Sequence, residues 1–290
     1  MEQMTFAFLG LGLIGGSIAK AIRAAYPGCF IRACDTDPAT LKLALAEGTA
    51  DEVTDHIGED NGAAFTSCDF LFLCAPVSQN DSNLLLIRSF LLNAEENGCI
   101  LTDVGSVKTT IHEHIEQLGL TSCFIGGHPM AGTEHSGFEY SLASLFAGAS
   151  MILTPYPDHD LACVEFAKEF FLKIGFGSVI ITTPLIHDKR IAFTSQLAHV
   201  VSNAYVKSPT AINFKGFSAG SFRDLTRVAY LNETMWTELF LENRENLAEE
   251  IDCIADRLRE YSAALKAEDA ETLKQLLKEG RELKEKVDRL

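Results

Sequence analysis

The chain lacks the features that mark membrane proteins and nucleic-acid-binding proteins. None of its apolar runs approaches the roughly 18 to 20 residues of a membrane-spanning helix. Basic side chains are scarce: there are 24 against 40 acidic ones, and the first 150 residues hold only six against 18. Such a surface repels polyanions and anionic lipids, so we expect binding to neither nucleic acid nor membrane. Residues 1–4 also carry no secretion signal, which favours a soluble, cytoplasmic protein.

The eight cysteines lack the spacing of a metal or redox site. No two form a C-x-x-C pair, and none stands with histidine at the intervals typical of zinc. Most are flanked by strand-like residues, so we expect reduced thiols in the core and predict no metal site.

What the chain does contain is a change of pattern near residue 184. Before it, short apolar runs alternate with helical periodicities, which predicts parallel strands joined by crossover helices. The expected strands are residues 5–9, 30–34, 70–74, 100–103, 123–126, 150–153 and 178–181, with early helices at 14–25 and 39–48. After it, helical periodicity predicts helices at 185–207, 224–233, 234–267 and 270–289.

These patterns predict two domains and an α/β fold. Residues 1–183 are expected to form a doubly wound, mostly parallel Rossmann-type sheet, and residues 184–290 an all-helical dimerisation domain. The apolar stripes of the last helices suit packing or a dimer surface better than chemistry.

A glycine-rich turn follows the first expected strand and predicts a dinucleotide site. In G-x-G-x-x-G, the first glycine allows the bend, the second lets the backbone approach a pyrophosphate, and the third permits close helix packing. The expected cofactor-binding residues of this turn are Gly10, Gly12, Leu13, Ile14 and Gly15.

Three further residues are expected at the cofactor. Asp35 ends the second strand, where a carboxylate accepts hydrogen bonds from ribose hydroxyls and repels a 2′-phosphate, so NAD is favoured over NADP. Ala75 and Pro76 leave the strand at 70–74, and their turn is expected to run along the cofactor.

Two motifs predict the chemistry. Residues 127–134, GHPMAGTE, place the titratable His128 between glycines and a proline, as in a site that accepts a proton. Residues 103–108, DVGSVK, follow an expected strand at the sheet edge where ligands of α/β proteins bind. Ser106 in this motif is expected to cap the next helix and to face the nicotinamide.

The chain contains six longer motifs: GLGLIGGS, DVGSVK, GHPMAGTEHSG, SQLAHVVSNA, SFRDLTRVA and MWTELFLENRENL. Together these motifs resemble the prephenate/arogenate dehydrogenase family across residues 6–258. The resemblance implies an NAD-dependent homodimer that oxidatively decarboxylates prephenate to 4-hydroxyphenylpyruvate in tyrosine biosynthesis. It implies that His128 is the catalytic base and that Ser106 hydrogen-bonds both the histidine and the substrate hydroxyl. Prephenate and arogenate remain alternative substrates.

The resemblance also implies a set of substrate-binding residues. Arg227 matches the arginine for the ring carboxylate, and Arg223 is expected four residues earlier on the same helical face. For these two, surface ion pairs with Asp224 or Glu233 are the alternative. The other implied residues are His199, a weaker candidate His187, Gly220, Thr133 and Glu134 at the pocket mouth, and Trp236, which the family brings into the neighbouring subunit's pocket.

The alternatives for His187, His199 and Trp236 are ordinary packing roles. The remaining histidines are expected on the surface or in loops: His56, His112, His114, His135 and His159. Two other functions stay open, a hydroxyacid or sugar-acid dehydrogenase, which typically uses a helical-domain lysine, and a catalytically silent NAD-binding sensor. No regulatory domain is expected, so inhibition by tyrosine is expected to be competitive at the substrate pocket.

Overall fold

The computed structural model describes residues 3–93, 98–133, 135–213, 216–218 and 220–289. It divides into unit 1, Met1–Asp188, and unit 2, Lys189–Leu290. The sequence places this boundary slightly earlier, at 183/184. The structure keeps His187 and Asp188 with unit 1 because their side chains hydrogen-bond to His128 and to the backbone of Lys108.

A parallel five-stranded sheet forms the centre of unit 1. Its strands lie in the order β3-β2-β1-β4-β5, so the chain reverses direction across the sheet between β1 and β4, where α/β proteins bind ligands. Their bounds are β1 Thr5–Leu9, β2 Phe30–Cys34, β3 Glu52–Thr54, β4 Phe70–Leu73 and β5 Ile100–Asp103. The short and partly exposed β3 was not predicted, because EVT carries no apolar run.

Helices cover both faces of this sheet, and the side chains of alternate strand residues pack into two separate hydrophobic cores. Phe6 and Phe70 face one core, where the Phe70 and Phe170 rings lie 4.2 Å apart, whereas Leu9 and Leu71 face the other. The helices are α1 Leu13–Ala25, α2 Pro38–Ala46, α3 Gly62–Thr66, α4 Val77–Asn93, α5 Thr109–Leu118 and α6 Leu161–Lys173. Strands buried on both faces are typical of parallel sheets.

A second, three-stranded sheet carries the histidine motif. It consists of β6 Gly126–Pro129, β7 Ser150–Thr154 and β8 Ser178–Ile181, with β6 antiparallel to β7 and β7 parallel to β8. The strand expected at 123–126 was therefore misplaced. The apolar residues before Gly126 are buried beside β5 through a single bridge from Phe124 to Leu101, and the regular pairing begins only at the glycines.

The regular secondary structure of unit 2, among its described residues, is entirely helical. Helix α7 Pro184–Ile191 spans the unit boundary and is followed by a π-helix, Ala192–Leu197. The later helices are α8 Ala198–Val206, α9 Gly220–Thr226, α10 Glu233–Glu242, α11 Arg244–Lys266 and α12 Ala270–Val287, with a short 3₁₀ turn at Pro209–Asn213. No helix in the described part of the chain is long and apolar enough to cross a membrane.

Two helix boundaries in unit 2 differ from those expected. The helix expected at 224–233 is α9, which ends at Thr226; Asn232 then caps α10 by accepting a hydrogen bond from the Met235 amide. The helix expected at 234–267 is interrupted at Asn243, whose side chain turns inward to donate to the Gln196 amide oxygen. Capping and a buried polar contact therefore override the continuous periodicity.

Candidate active site

The glycine-rich turn is packed so closely that side chains are excluded at two of its three glycines. Gly10 has φ +99°, and a Cβ there would lie 2.6 Å from the Ala75 amide nitrogen. A Cβ on Gly15 would lie 2.5 Å from the Gly10 carbonyl oxygen. A Cβ placed on Gly12, by contrast, would meet no atom within 4 Å beyond its chain neighbours, so the turn leaves its second glycine open to a ligand.

Asp35 links the end of β2 to this turn. One carboxylate oxygen accepts a hydrogen bond from the Leu11 amide at 2.7 Å, and the other accepts from the Asp37 amide at 2.9 Å. Each oxygen keeps a further lone pair for an external donor, which is what ribose hydroxyls require.

The turn after β4 is held by a buried amide. Asn80 donates from its side-chain nitrogen to the Ala75 carbonyl at 2.8 Å. Ala75 and Pro76 therefore occupy a fixed turn directly beside Gly10, at the switch point of the sheet.

His128 lies in β6 and is 9% exposed. Its Nδ1 is 2.8 Å from Nε2 of His187, and Nδ1 of His187 is 2.7 Å from an oxygen of Asp188. Burial, the charge of Lys108 and the neighbouring His187 together lower the pKa of His128 well below its ordinary value of 6.5. At neutral pH the His128 ring is therefore uncharged and able to accept a proton.

Asp188 connects this histidine pair to α5. It accepts hydrogen bonds from the amides of Lys108 and Thr109, each at 2.8 Å, and so satisfies the first turn of α5. Burial raises the pKa of Asp188, but the hydrogen bonds from His187, Thr109 and Lys108 outweigh it and lower the pKa below 3.8. The carboxylate is ionised.

The expectation that Ser106 caps α5 was wrong. The helix begins after Lys108, and Asp188 supplies the capping oxygens from 80 residues away. Ser106 lies half-buried in the β5–α5 loop, and no hydrogen bond joins it to His128 among the described contacts.

A buried ion pair lies beneath His128. The Lys108 ammonium contacts the Asp103 carboxylate and donates to the Gly127 carbonyl at 2.8 Å, while Asp103 accepts from the Gly127 amide at 3.0 Å. Asp103 also accepts from the Gly105 amide at 2.9 Å. This network joins the end of β5, the start of α5 and the start of β6. The sequence motifs DVGSVK and GHPMAGTE contain these residues, but they did not predict that the residues are buried or that they contact one another.

His112 is not the surface residue that the sequence predicted. It is buried on the inner face of α5, and its Nε2 lies 2.9 Å from the Thr154 hydroxyl. Burial and the charge of Lys108 lower the pKa of His112 to about 4. His114 and His159 are partly covered, whereas His56 and His135 are exposed as expected.

The pocket-mouth residues are only partly described. Thr133 is exposed, and its hydroxyl accepts from the His135 amide at 3.3 Å. Glu134, expected at the pocket mouth, lies outside the described residues.

Unit 2 brings two of its candidates together. His199 on α8 lies with its ring centroid 4.1 Å from that of Trp236 on α10. A carbonyl oxygen only accepts, so His199 donates from Nδ1 to the Val228 carbonyl across 3.0 Å. Both side chains are half-buried.

The two arginines do not share a helical face. Helix α9 ends at Thr226, so Arg227 follows the helix, and the expected i, i+4 geometry with Arg223 is wrong. Both arginines are exposed; Arg223 lies 3.8 Å from the Asp224 carboxylate, which was its alternative partner. Gly220 is the first residue of α9.

The site contains no metal-like cluster in the part of the chain that the structure describes. No group of three or more His, Cys, Asp or Glu residues is placed to hold an ion there. Unit 1 therefore combines a nucleotide-type turn at a parallel-sheet switch point with a buried, uncharged histidine, the combination of an α/β nucleotide-binding enzyme that moves a proton.

Family models identify this enzyme class more closely. Residues 18–181 match the nucleotide-binding domain of prephenate dehydrogenase, and residues 183–279 match its dimerization domain. The chain belongs to the prephenate dehydrogenase family.

Individual relatives resemble the chain over nearly its full length. A prephenate dehydrogenase of Bacillus subtilis is 31% identical over 98% of this chain and 77% of its own. The crystal structure of prephenate dehydrogenase from A. aeolicus, in complex with hydroxyphenyl propionate and NAD+, has a TM-score of 0.82, 31% identity and 99% coverage of both chains. Synechocystis arogenate dehydrogenase has a TM-score of 0.81 and 25% identity, covering 98% of this chain and all of its own.

The close packing beneath His128 predicts that Gly127→Ala is destabilising. Its Cβ would lie 2.5 Å from the Asp103 carbonyl oxygen and 2.6 Å from the Met151 methyl, which forces β6 away from β5. We expect a loss of about 1 to 3 kcal/mol in the free energy of unfolding. Urea denaturation measures it, with Gly28→Ala as the control because a Cβ on Gly28 would meet no atom within 4 Å beyond its chain neighbours. Equal stability of the two variants contradicts the prediction.

Proposed function

We propose that this protein is an NAD-dependent prephenate dehydrogenase that converts prephenate to 4-hydroxyphenylpyruvate with loss of CO2. The observation that carries the proposal is the buried, uncharged His128 in a chain that matches both domain models of this family. The reaction needs a proton acceptor for the ring hydroxyl, a cation for the ring carboxylate, and a hydride acceptor. Aromatisation of the ring supplies the driving force.

The residues of unit 1 fit a bound NAD. The open surface at Gly12 and the start of α1 suit the pyrophosphate, and the remaining lone pairs of Asp35 suit the ribose hydroxyls. When bound, NAD+ takes up the hydride. The bound cofactor of the A. aeolicus protein supports this assignment.

Asp35 predicts a preference between the two nicotinamide cofactors. Because a carboxylate repels a 2′-phosphate, kcat/KM with NAD+ should exceed that with NADP+ at least about tenfold, or roughly 1.4 kcal/mol. Asp35→Asn keeps an oxygen for the Leu11 amide and should narrow this ratio, whereas Asp37→Asn, at the exposed cap of α2, should leave it unchanged. Steady-state rates of NADH and NADPH formation measure the ratio. Equal efficiency of the parent with both cofactors rejects the prediction.

His128 is the base in this proposal. Its Nδ1 is occupied by His187, so Nε2 is the nitrogen that faces the substrate hydroxyl. As hydride leaves the ring, the hydroxyl proton passes to Nε2 and a ring carbonyl forms. The C–C bond to the ring carboxylate then breaks with release of CO2, its electrons complete the aromatic ring, and the oxygen takes the proton back from Nε2 to give the hydroxyl of the product. Ser106 contributes a hydroxyl from the neighbouring loop to orient the substrate.

We therefore expect His128→Asn to keep substrate and NAD+ affinity but to lower kcat about 10²- to 10⁴-fold, because it removes the base and preserves polarity. Stopped-flow and steady-state NADH absorbance with prephenate measure the effect. His56→Asn, on the exposed surface, serves as the matched control. Turnover of the His128 variant within threefold of the parent excludes His128 as the base.

Arg227 is proposed to hold the ring carboxylate. It is exposed just beyond α9, where its guanidinium is available to an anion. Arg223, His199, Trp236, Gly220, Thr133 and Glu134 complete the proposed substrate set, with Trp236 reaching the pocket of the second subunit.

Arg227→Gln deletes a charge-assisted contact and should raise KM for prephenate by the equivalent of about 2 to 4 kcal/mol, while NAD+ binding stays unchanged. Arg244→Gln is the control, since that arginine is exposed at the start of α11 and lies 3.7 Å from the Glu245 carboxylate. Initial rates over a range of prephenate concentrations decide the matter. An unaltered KM rejects the assignment.

Arogenate is the second candidate substrate, and the likeness to Synechocystis arogenate dehydrogenase favours it. The two substrates differ only in a keto or amino group on the side chain, so comparing kcat/KM for prephenate and arogenate separates them.

We also propose a cytoplasmic homodimer that assembles through the helical domain. Tyrosine shares the phenol hydroxyl and the acid side chain of the product, so we propose that it inhibits competitively.

A further inference from the structure

We propose that Asp188, acting through His187, fixes which ring nitrogen of His128 is free to accept a proton. This inference rests on the proposed role of His128 as the base, and it makes His187 and Asp188 positioning residues. The three side chains, named here the triad, form one continuous line of hydrogen bonds inside unit 1.

The direction of the hydrogen bonds is set at the Asp188 end. An ionised carboxylate only accepts, and this one already accepts from the amides of Lys108 and Thr109. The 2.7 Å contact with His187 therefore requires that Nδ1 of His187 carries a hydrogen and donates it. Asp188 thus dictates the tautomer of its neighbour.

The tautomer of His187 in turn sets the tautomer of His128. A His187 ring that also donated from Nε2 would carry both hydrogens and hence a positive charge, in a site that already buries the Lys108 ammonium. A further buried cation is costly, so His187 is assigned a single ring hydrogen, the one on Nδ1. With its hydrogen on Nδ1, neutral His187 has only a lone pair at Nε2, and it can only accept across the 2.8 Å contact. His128 must then donate from Nδ1, which leaves the lone pair on Nε2.

The triad also prepares for the charge that forms during turnover. When the substrate O–H bond breaks and a hydrogen bonds to His128 Nε2, the ring becomes an imidazolium. The charged groups around it are Lys108, which opposes that charge, and Asp188, which favours it through His187. Lys108 is itself paired with Asp103, and Asp188 is the carboxylate whose charge favours the imidazolium.

Two substitutions at His187 test the proposal. In His187→Gln, the side-chain amide can accept from His128 with its oxygen and donate to Asp188 with its nitrogen, so the direction of the triad is kept. In His187→Leu, the side chain fills similar space but accepts nothing, so the tautomer of His128 is no longer fixed. We expect His187→Gln to retain kcat within about tenfold and His187→Leu to lose at least about a hundredfold, with KM for NAD+ unchanged in both.

The tautomer itself is read by ¹⁵N NMR of histidine-labelled full-length protein, with His128→Asn assigning the resonance. We expect hydrogen on Nδ1 of His128 in the parent and in His187→Gln, and a substantial Nε2-protonated population in His187→Leu. The same pair of substitutions at His112 is the matched control, because that buried histidine also lies beside Lys108 but outside the triad. Its Gln and Leu variants should have equal kcat.

The outcomes separate the two proposals. Hydrogen on Nε2 of His128 in the parent, or equal kcat and an unchanged tautomer in His187→Gln and His187→Leu, overturns the inference. Because the spectrum needs no turnover, a parent that leaves prephenate unconverted while keeping the Nδ1 tautomer contradicts the proposed function alone. Thermal denaturation of each variant identifies any loss of kcat that comes from unfolding.

Discussion

The buried pair of Asp103 and Lys108 is the interaction on which the rest of the site depends. Removing two charges from water is unfavourable unless their hydrogen-bonding groups are satisfied, and here the carboxylate also accepts from two backbone amides while the ammonium donates to a carbonyl. Two of these backbone groups belong to Gly127. The ion pair therefore fixes the strand residue directly before His128. Burial and then the charge of Lys108 hold the pKa of that histidine well below its ordinary value.

Glycine makes this arrangement possible at two places for the same steric reason. Gly126 and Gly127 let β6 approach β7, α5 and the end of β5, since a Cβ at Gly126 would lie 2.3 Å from the Thr154 hydroxyl. At the other end of the sheet edge, Gly10 and Gly15 let the cofactor turn pack against the residues that follow β4. Close backbone contact thus sets the geometry of both halves of the proposed site.

Local sequence signals predicted elements well where burial and periodicity agree. The strands β1, β2, β5 and β8 begin and end at the expected residues, because each is a short apolar or β-branched run bounded by turn residues. The predictions failed where a side chain bonds to a distant partner. Asn243 interrupts a periodic helix because its side chain hydrogen-bonds to Gln196. His112 lies in the core because its ring hydrogen-bonds to the Thr154 hydroxyl there.

The sequence by itself determined the fold class, the glycine-rich turn and the histidine motif, because each depends on residues that are neighbours along the chain. It did not determine what surrounds His128. His187 lies 59 residues from His128, and Asp188 lies 80 residues from the helix it caps. Only the packing of α7 against the β5–α5 loop and β6 brings these groups within hydrogen-bond distance. The protonation state and orientation of the histidine were therefore decided by the tertiary structure, since burial and neighbouring charge exist only once the chain is folded.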